Sequence, residues 1–222
     1  MNTEAVRPRQ PTRLTAVLDP HLSRWLWLVK WLLALPHIVV LFLLWTAFAG
    51  VSVVAFFAVL VTGRYPRSLF DFNVGVLRWS WRVGYYSYGA LGTDRYPPFT
   101  LAEVPDYPAR LSVRHPGDLS RGLVLVKWWL LAVPHYLVLA VFAGGIRVPW
   151  ASAGLIGLLT LFAGIVLTTT GRYPAGIFDL LIGLHRWVLR VAAYAALMTD
   201  EYPPFRLDQG GEEPAPEVLP GA

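Results

Sequence analysis

"TGRYPRSLFDFNVGVLRW" (Thr62–Trp79) and "TGRYPAGIFDLLIGLHRW" (Thr170–Trp187) are one phrase written twice in a chain of 222 residues. Working outward, "LSRWLWLVKWLLALPH" (Leu22–His37) precedes the first copy, and "LSRGLVLVKWWLLAVPH" (Leu119–His135), one residue longer, precedes the second. "TDRYPPF" (Thr93–Phe99) and "TDEYPPF" (Thr199–Phe205) close the two units. Self-similarity on this scale marks a duplicated structural unit. The extra residues of the second unit collect around "GGIRVPWASAG" (Gly144–Gly154).

That insertion guides the reading of the apolar runs. Residues 31–63 contain no Asp, Glu, Lys or Arg. At about 1.5 Å per residue the run is too long for one upright crossing of a core about 30 Å thick, and short for two. The second unit interrupts the same run with Gly144, Gly145, Arg147 and Pro149. A helical hairpin in each unit is therefore expected, with helices over 24–47, 50–64, 120–144 and 151–171. All but Arg147 of the 19 basic residues then lie on one side, which the positive-inside rule makes the cytoplasm, with both termini there. The alternative topology takes Leu69–Leu91 as a third span. It inverts the second unit and turns Arg95, Arg110, Arg114, Arg121 and Lys127 outward.

The expected fold class is an all-α membrane protein of tandem duplicated helical-hairpin units, four transmembrane helices in all. Each hairpin is followed by an amphipathic interfacial helix, and a small cytoplasmic β element joins the units. The first unit covers residues 13–104 and the second 105–208. Residues 1–12 and 209–222 read as disordered, Pro- and charge-rich tails. Short alternating segments at Arg13–Val17, Pro98–Val104, Ala109–His115 and Pro204–Asp208 predict strands.

Composition agrees: 55% of residues are hydrophobic and only 15% charged. With no Cys, disulfides, thiolate metal sites and thiol nucleophiles are excluded. The five His lack the spacing of a metal site, and no cofactor motif is present. A net charge of +5 on so apolar a chain points to membrane orientation rather than nucleic acid, for which no motif appears. The polar start "MNTEAVRPRQPTR" does not read as a signal peptide.

The phrases "LSRWLWLVKWLLALPH", "TGRYPRSLFDF", "VLRWSWRV" and "TDRYPPFTL" resemble the bacterial membrane family catalogued as domain of unknown function 4389. The resemblance covers both units, about Arg13 to Asp208. It implies a bacterial inner-membrane location and carries no activity, substrate or catalytic residue.

After each "TGRYP" helix stop, a third helix is expected over Ser68–Leu91 and Gly176–Met198. Asp71, Arg78 and Arg82 fall on one face of the first, and Asp179, Arg186 and Arg190 on one face of the second. One reading lays these helices in the interface with arginines toward anionic lipid phosphates. The other turns the seam inward, with Asp71 pairing Arg78 or Arg82. Lys30 and His37, repeated as Lys127 and His135, form a possible intramembrane polar pair on one helix face. Snorkelling lysines and a histidine bonded to a carbonyl freed by Pro36 are the plain reading; a proton or ion site is the sharper one.

No catalytic triad, metal motif or phosphate loop is found. The expected function is a non-enzymatic scaffold or accessory subunit contacting membrane lipids, with other membrane proteins or a second copy as partners and no nucleic acid. The alternative is a small transporter or channel with a polar site between the units.

Overall fold

The computed structural model describes residues 10–143 and 154–212. The expected outer turn with Arg147 and the outer parts of both tails lie outside the described residues.

The first unit opens with strand β1 (Thr12–Ala16) and a 3-10 turn at Leu26–Leu28, followed by helix α1 (Lys30–Thr62). Helix α2 (Arg67–Tyr86) returns along it. The second unit repeats the order: strand β2 (Ala109–Val113), helix α3 (Arg121–Val126), a π-helical turn (Lys127–Leu131), and helices α4 (Val133–Ala143), α5 (Leu155–Thr170) and α6 (Ala175–Ala195). The described residues are mostly helical with one two-stranded sheet.

The first hairpin is a correction. α1 runs unbroken for 33 residues, about 50 Å at 1.5 Å per residue, where two helices and a turn were expected. After Pro36 the only interruption available is Gly50, and a lone interior Gly costs about 1 kcal/mol relative to Ala without ending a helix. The stop comes at Gly63, whose φ of 73° is left-handed and whose N–H caps the Val59 carbonyl at 2.7 Å. Four long spans are therefore not found among the described residues. Among the described residues α1 alone is long and apolar enough to cross a membrane, or two segments if α3 to α4, bent by 41°, count as one.

The third helix of each unit starts where expected, because Pro66 and Pro174 fix the entry of α2 and α6. Each ends earlier than expected and turns through a buried leucine at positive φ, Leu91 at 51° and Leu197 at 63°. These two stand at matched places in the repeat, and burial holds both in a conformation unfavourable for a branched side chain.

Two of the four expected strands form. β1 and β2 pair antiparallel with Leu14 opposite Leu111, and Leu14, Ala16, Ala109 and Leu111 face the core. The segments at Pro98–Val104 and Pro204–Asp208 are straps instead, tied by arginine side chains to the carbonyls that a partner strand would otherwise have used.

α1 stays on α2 from end to end. Its buried positions Lys30, Ala34, His37, Phe48, Ala55 and Val59 make one seam. Asn73 on α2 donates to Ser52 at 3.1 Å, and Trp45 on α1 donates to Ser80 at 3.0 Å. Leu44 and Phe56 also pack on the core, while much of the remaining face is exposed and apolar, as at Trp31, Ile38, Phe42, Val54, Phe57 and Val61. Where α1 meets α2, at Tyr65, burial pushes the phenol up to about 12, with the Asn73 hydrogen bond opposing.

Candidate functional site

The same cluster is built twice. In the first unit the Lys30 ammonium, at the start of α1, donates to the Thr93 carbonyl at 2.7 Å and pairs with Asp94 Oδ1 at 2.8 Å. It also lies over the Tyr86 ring, 4.8 Å from the centroid. Asp94 Oδ2 accepts the Ser23 N–H at 2.6 Å. One carboxylate thus ties the lysine to the segment entering the helix. In the second unit Lys127 meets the Thr199 carbonyl at 2.8 Å, Asp200 Oδ1 at 2.7 Å and the Tyr194 ring at 5.4 Å. Asp200 Oδ2 accepts the Ser120 N–H at 2.6 Å. Lys30 and Lys127 do not snorkel: 1% and 0% of their surface is exposed.

Two turns along the helix, His37 Nδ1 accepts the Trp79 indole N–H at 3.2 Å. Its ring stacks on Phe99 at 3.9 Å and tilts against Tyr96 at 4.9 Å. His135 repeats this with Trp187 at 3.2 Å, Phe205 at 4.3 Å and Tyr202 at 4.8 Å. Because the indole donates to Nδ1, the neutral ring carries its hydrogen on Nε2. That Nε2 is buried without a hydrogen-bond partner in both copies. The expected bond from His to a proline-freed carbonyl is absent; the Tyr96 hydroxyl reaches the helix instead, at the Leu33 carbonyl, 3.1 Å.

The copies differ by one residue between lysine and histidine. A single insertion in an α-helix turns everything beyond it by about 100°. Here the π-helical turn at Lys127–Leu131 absorbs it, so Lys127 and His135 keep the partners of Lys30 and His37. π-helix occurs mostly as single-turn segments of this kind inside α-helices.

The arginine seam turns inward, but toward backbone. Arg82 donates to the Ala102 carbonyl at 2.9 Å and to the Thr100 carbonyl. Arg78 reaches the Leu111 carbonyl at 3.0 Å and the Leu101 carbonyl at 3.4 Å. Arg186 donates to the carbonyls of Leu14, at 3.1 Å, and Asp208. Arg190 pairs with the Asp208 carboxylate at 2.7 Å. Arg82, Arg186 and Arg190 are buried, which corrects the expectation that they face lipid phosphates. The expected pairing through Asp71 is corrected too: Asp71 is exposed, and the seam's arginines end on the strap and sheet. Asp179 is half-buried and contributes its backbone carbonyl to the Gly210 N–H at 3.3 Å.

These bonds exchange the units. Arg78 of the first holds β2 of the second, and Arg186 of the second holds β1 of the first. Trp27 donates to Thr168 on α5 at 2.8 Å, while the Leu119 N–H meets the Gly63 carbonyl beyond α1 at 2.7 Å. The two units form one body.

Sequence reasoning found Lys30, His37, Lys127 and His135 but missed Asp94, Asp200, Trp79 and Trp187 as their partners. The signal was present, since all four lie in duplicated phrases. Two surface clefts of about 320 and 350 Å³ are lined by Arg13, Glu103 and Arg110, and by His115, Asp118 and Asp200. Neither is lined by the buried lysines or histidines.

No curated protein and no solved structure matches the chain. A family match does cover both copies of the cluster. Over residues 24–100 and again over 124–206, the chain belongs to the family described as Domain of unknown function (DUF4389), in two tandem copies.

Proposed function

We propose that this chain is a non-enzymatic integral membrane protein of the bacterial plasma membrane, acting as a scaffold or accessory subunit that contacts anionic lipid. One observation carries the reading: α1 exposes Trp31, Phe42, Val54 and Val61 while burying Lys30 and His37. Water would favour the reverse, and a contiguous exposed apolar surface of this kind marks an interaction site. The buried clusters read as structural pins. Each ties the two ends of a unit together through a lysine, a carboxylate and packed rings, which leaves little room for a substrate. Lipid contact passes from the seam arginines to Arg24, Arg64, Arg67, Arg121 and Arg172, which are exposed.

Fractionation tests this. The full chain, expressed with an affinity tag, should sediment with membranes, resist release by salt, and come free only in detergent. A chain that stays in solution without detergent would remove the membrane reading.

A further inference from the structure

We infer that the protein seats in a single leaflet, with α1 lying against the bilayer from one side and crossing it nowhere. The inference rests on the membrane reading above and concerns how the apolar surface meets lipid.

α1 is long enough to cross, but it is not free to do so. Its seam is buried against the body of the protein from Lys30 to Val59, so α2 must go wherever α1 goes. At its middle α2 carries the sheet and strap: Arg78 holds the Leu111 and Leu101 carbonyls, and Leu101 sits against Gly75. A crossing by α1 would draw this attachment, with exposed Glu103 and Arg110, toward the bilayer centre. Charged side chains there are strongly disfavoured. With the sheet kept in water, only one side of the molecule can enter lipid.

The chemistry of that side fits acyl chains. Exposed hydroxyls on the apolar helices are bonded back to their own helix: Thr46 to the Phe42 carbonyl at 2.9 Å, Thr62 to Ala58 at 2.7 Å, and Thr170 to Val166 at 2.7 Å. The exposed Trp129 indole does the same with the Leu125 carbonyl at 2.6 Å. Groups closed in this way ask nothing of their surroundings, as hydrocarbon requires. Arginines stand at both ends of α1, Arg24 at one and at the other Arg67, beside Arg64, which pairs with Asp118 at 3.2 Å. Both ends therefore present headgroup partners, as a helix lying in an interface does. The second unit supplies the same parts through α4, α5, Arg121 and Arg172.

The absence of Cys permits a direct test on the full chain in sealed vesicles of phosphatidylcholine and phosphatidylglycerol. Trp25→Cys and Arg64→Cys place single thiols beyond the two ends of α1, both at exposed positions. Val54→Cys carries a fluorophore on its exposed apolar face. Both end thiols should react with a membrane-impermeant maleimide from the same side, and the Val54 label should be quenched by brominated acyl chains. End thiols that react from opposite sides overturn the inference while leaving membrane residence intact. A Val54 label reached by aqueous quencher, or shielded from both quenchers by a second protein chain, overturns it as well. Failure to associate with vesicles at all would instead sink the membrane reading.

Discussion

Leu14 and Leu111 stand directly opposite each other in the β1–β2 pair, and they are the same residue of the two repeats. Antiparallel pairing of equivalent residues is what a two-fold axis produces, and the arginine bonds obey it: Arg78 takes the Leu111 carbonyl and Arg186 the Leu14 carbonyl. Each unit is thus finished by a strand from the other, which is the geometry of an isologous dimer.

A single unit should therefore dimerise. A fragment of residues 1–104 in detergent is expected to form a homodimer, with β1 pairing β1 and Arg78 reaching the partner's Leu14 carbonyl. Light scattering gives its mass, and Thr15→Pro, which removes a donor facing the paired strand, should return it to a monomer. A fragment that is folded and monomeric would show that the exchange does not drive association.

The Lys30–Asp94 pair is buried on the lysine side and bonded through both carboxylate oxygens. Lys30→Met should cost about 3–5 kcal/mol, the range for breaking a buried pair. Adding Asp94→Asn should restore part of that, giving a coupling that chemical denaturation in detergent can read. Lys127→Met with Asp200→Asn should behave alike, since the geometry is shared. Additive losses in either unit would mean the charges do not act as a pair.

Deleting Trp129 should convert the π-helical turn at Lys127–Leu131 into α-helix and leave the partners of His135 in place. Thermal stability is expected to hold within about 0.5 kcal/mol or to rise, as for a change away from the packed core. Deleting Leu137, beyond His135, has no such turn to consume and should be strongly destabilising. Equal damage from the two deletions would contradict this account of the turn.

Gly75 lies so close to the strap that an added Cβ would sit 2.8 Å from Leu101 Cβ and 3.2 Å from its carbonyl oxygen. Gly75→Ala should cost about 1–3 kcal/mol, the range for overpacking, and the double change with Leu101→Gly should recover most of it. A neutral single substitution would show that the strap yields freely.

His185 is half-buried on α6 with Nε2 bonded to the Gly89 carbonyl at 2.8 Å. Burial lowers its pKa, and the backbone hydrogen bond opposes that only in part. The unfolded chain, whose His titrates near about 6.5, binds the proton more readily than the folded one. Stability contributed by neutral His185 is therefore present above about 6.5 and falls as pH drops below it. His185→Asn should flatten the denaturation midpoint between neutral and mildly acidic pH; an unchanged slope would exclude this site as the cause.

Much of the scaffold was legible in the sequence because it is written in backbone-restricting residues. "TGRYP" set the ends of α1 and α5 and the starts of α2 and α6, since Gly63 and Gly171 adopt positive φ and Pro66 and Pro174 begin helices. The first hairpin was misjudged because the interruption in the second unit was carried back to the first, where only Gly50 stands. Period alone placed Asp71, Arg78 and Arg82 on one face. It could not supply their partners, because Arg78 and Arg82 bind main-chain carbonyls, and a carbonyl leaves no mark on residue identity. The lysine and histidine positions were visible as matched rarities, whereas their carboxylate and indole partners were visible only as parts of repeated words.

The π-helical turn changes what a length difference between the copies means. An extra tryptophan entered one helix and its effect stopped within five residues. Downstream of it the second copy stayed in phase with the first, so selection had no rotated face to repair. Helices equipped with such a slip joint can lengthen by single residues while the chemistry on either side stays in register. A comparison of related chains by fixed lysine-to-histidine spacing would therefore divide members that share one geometry, and spacings of seven and eight belong in one class.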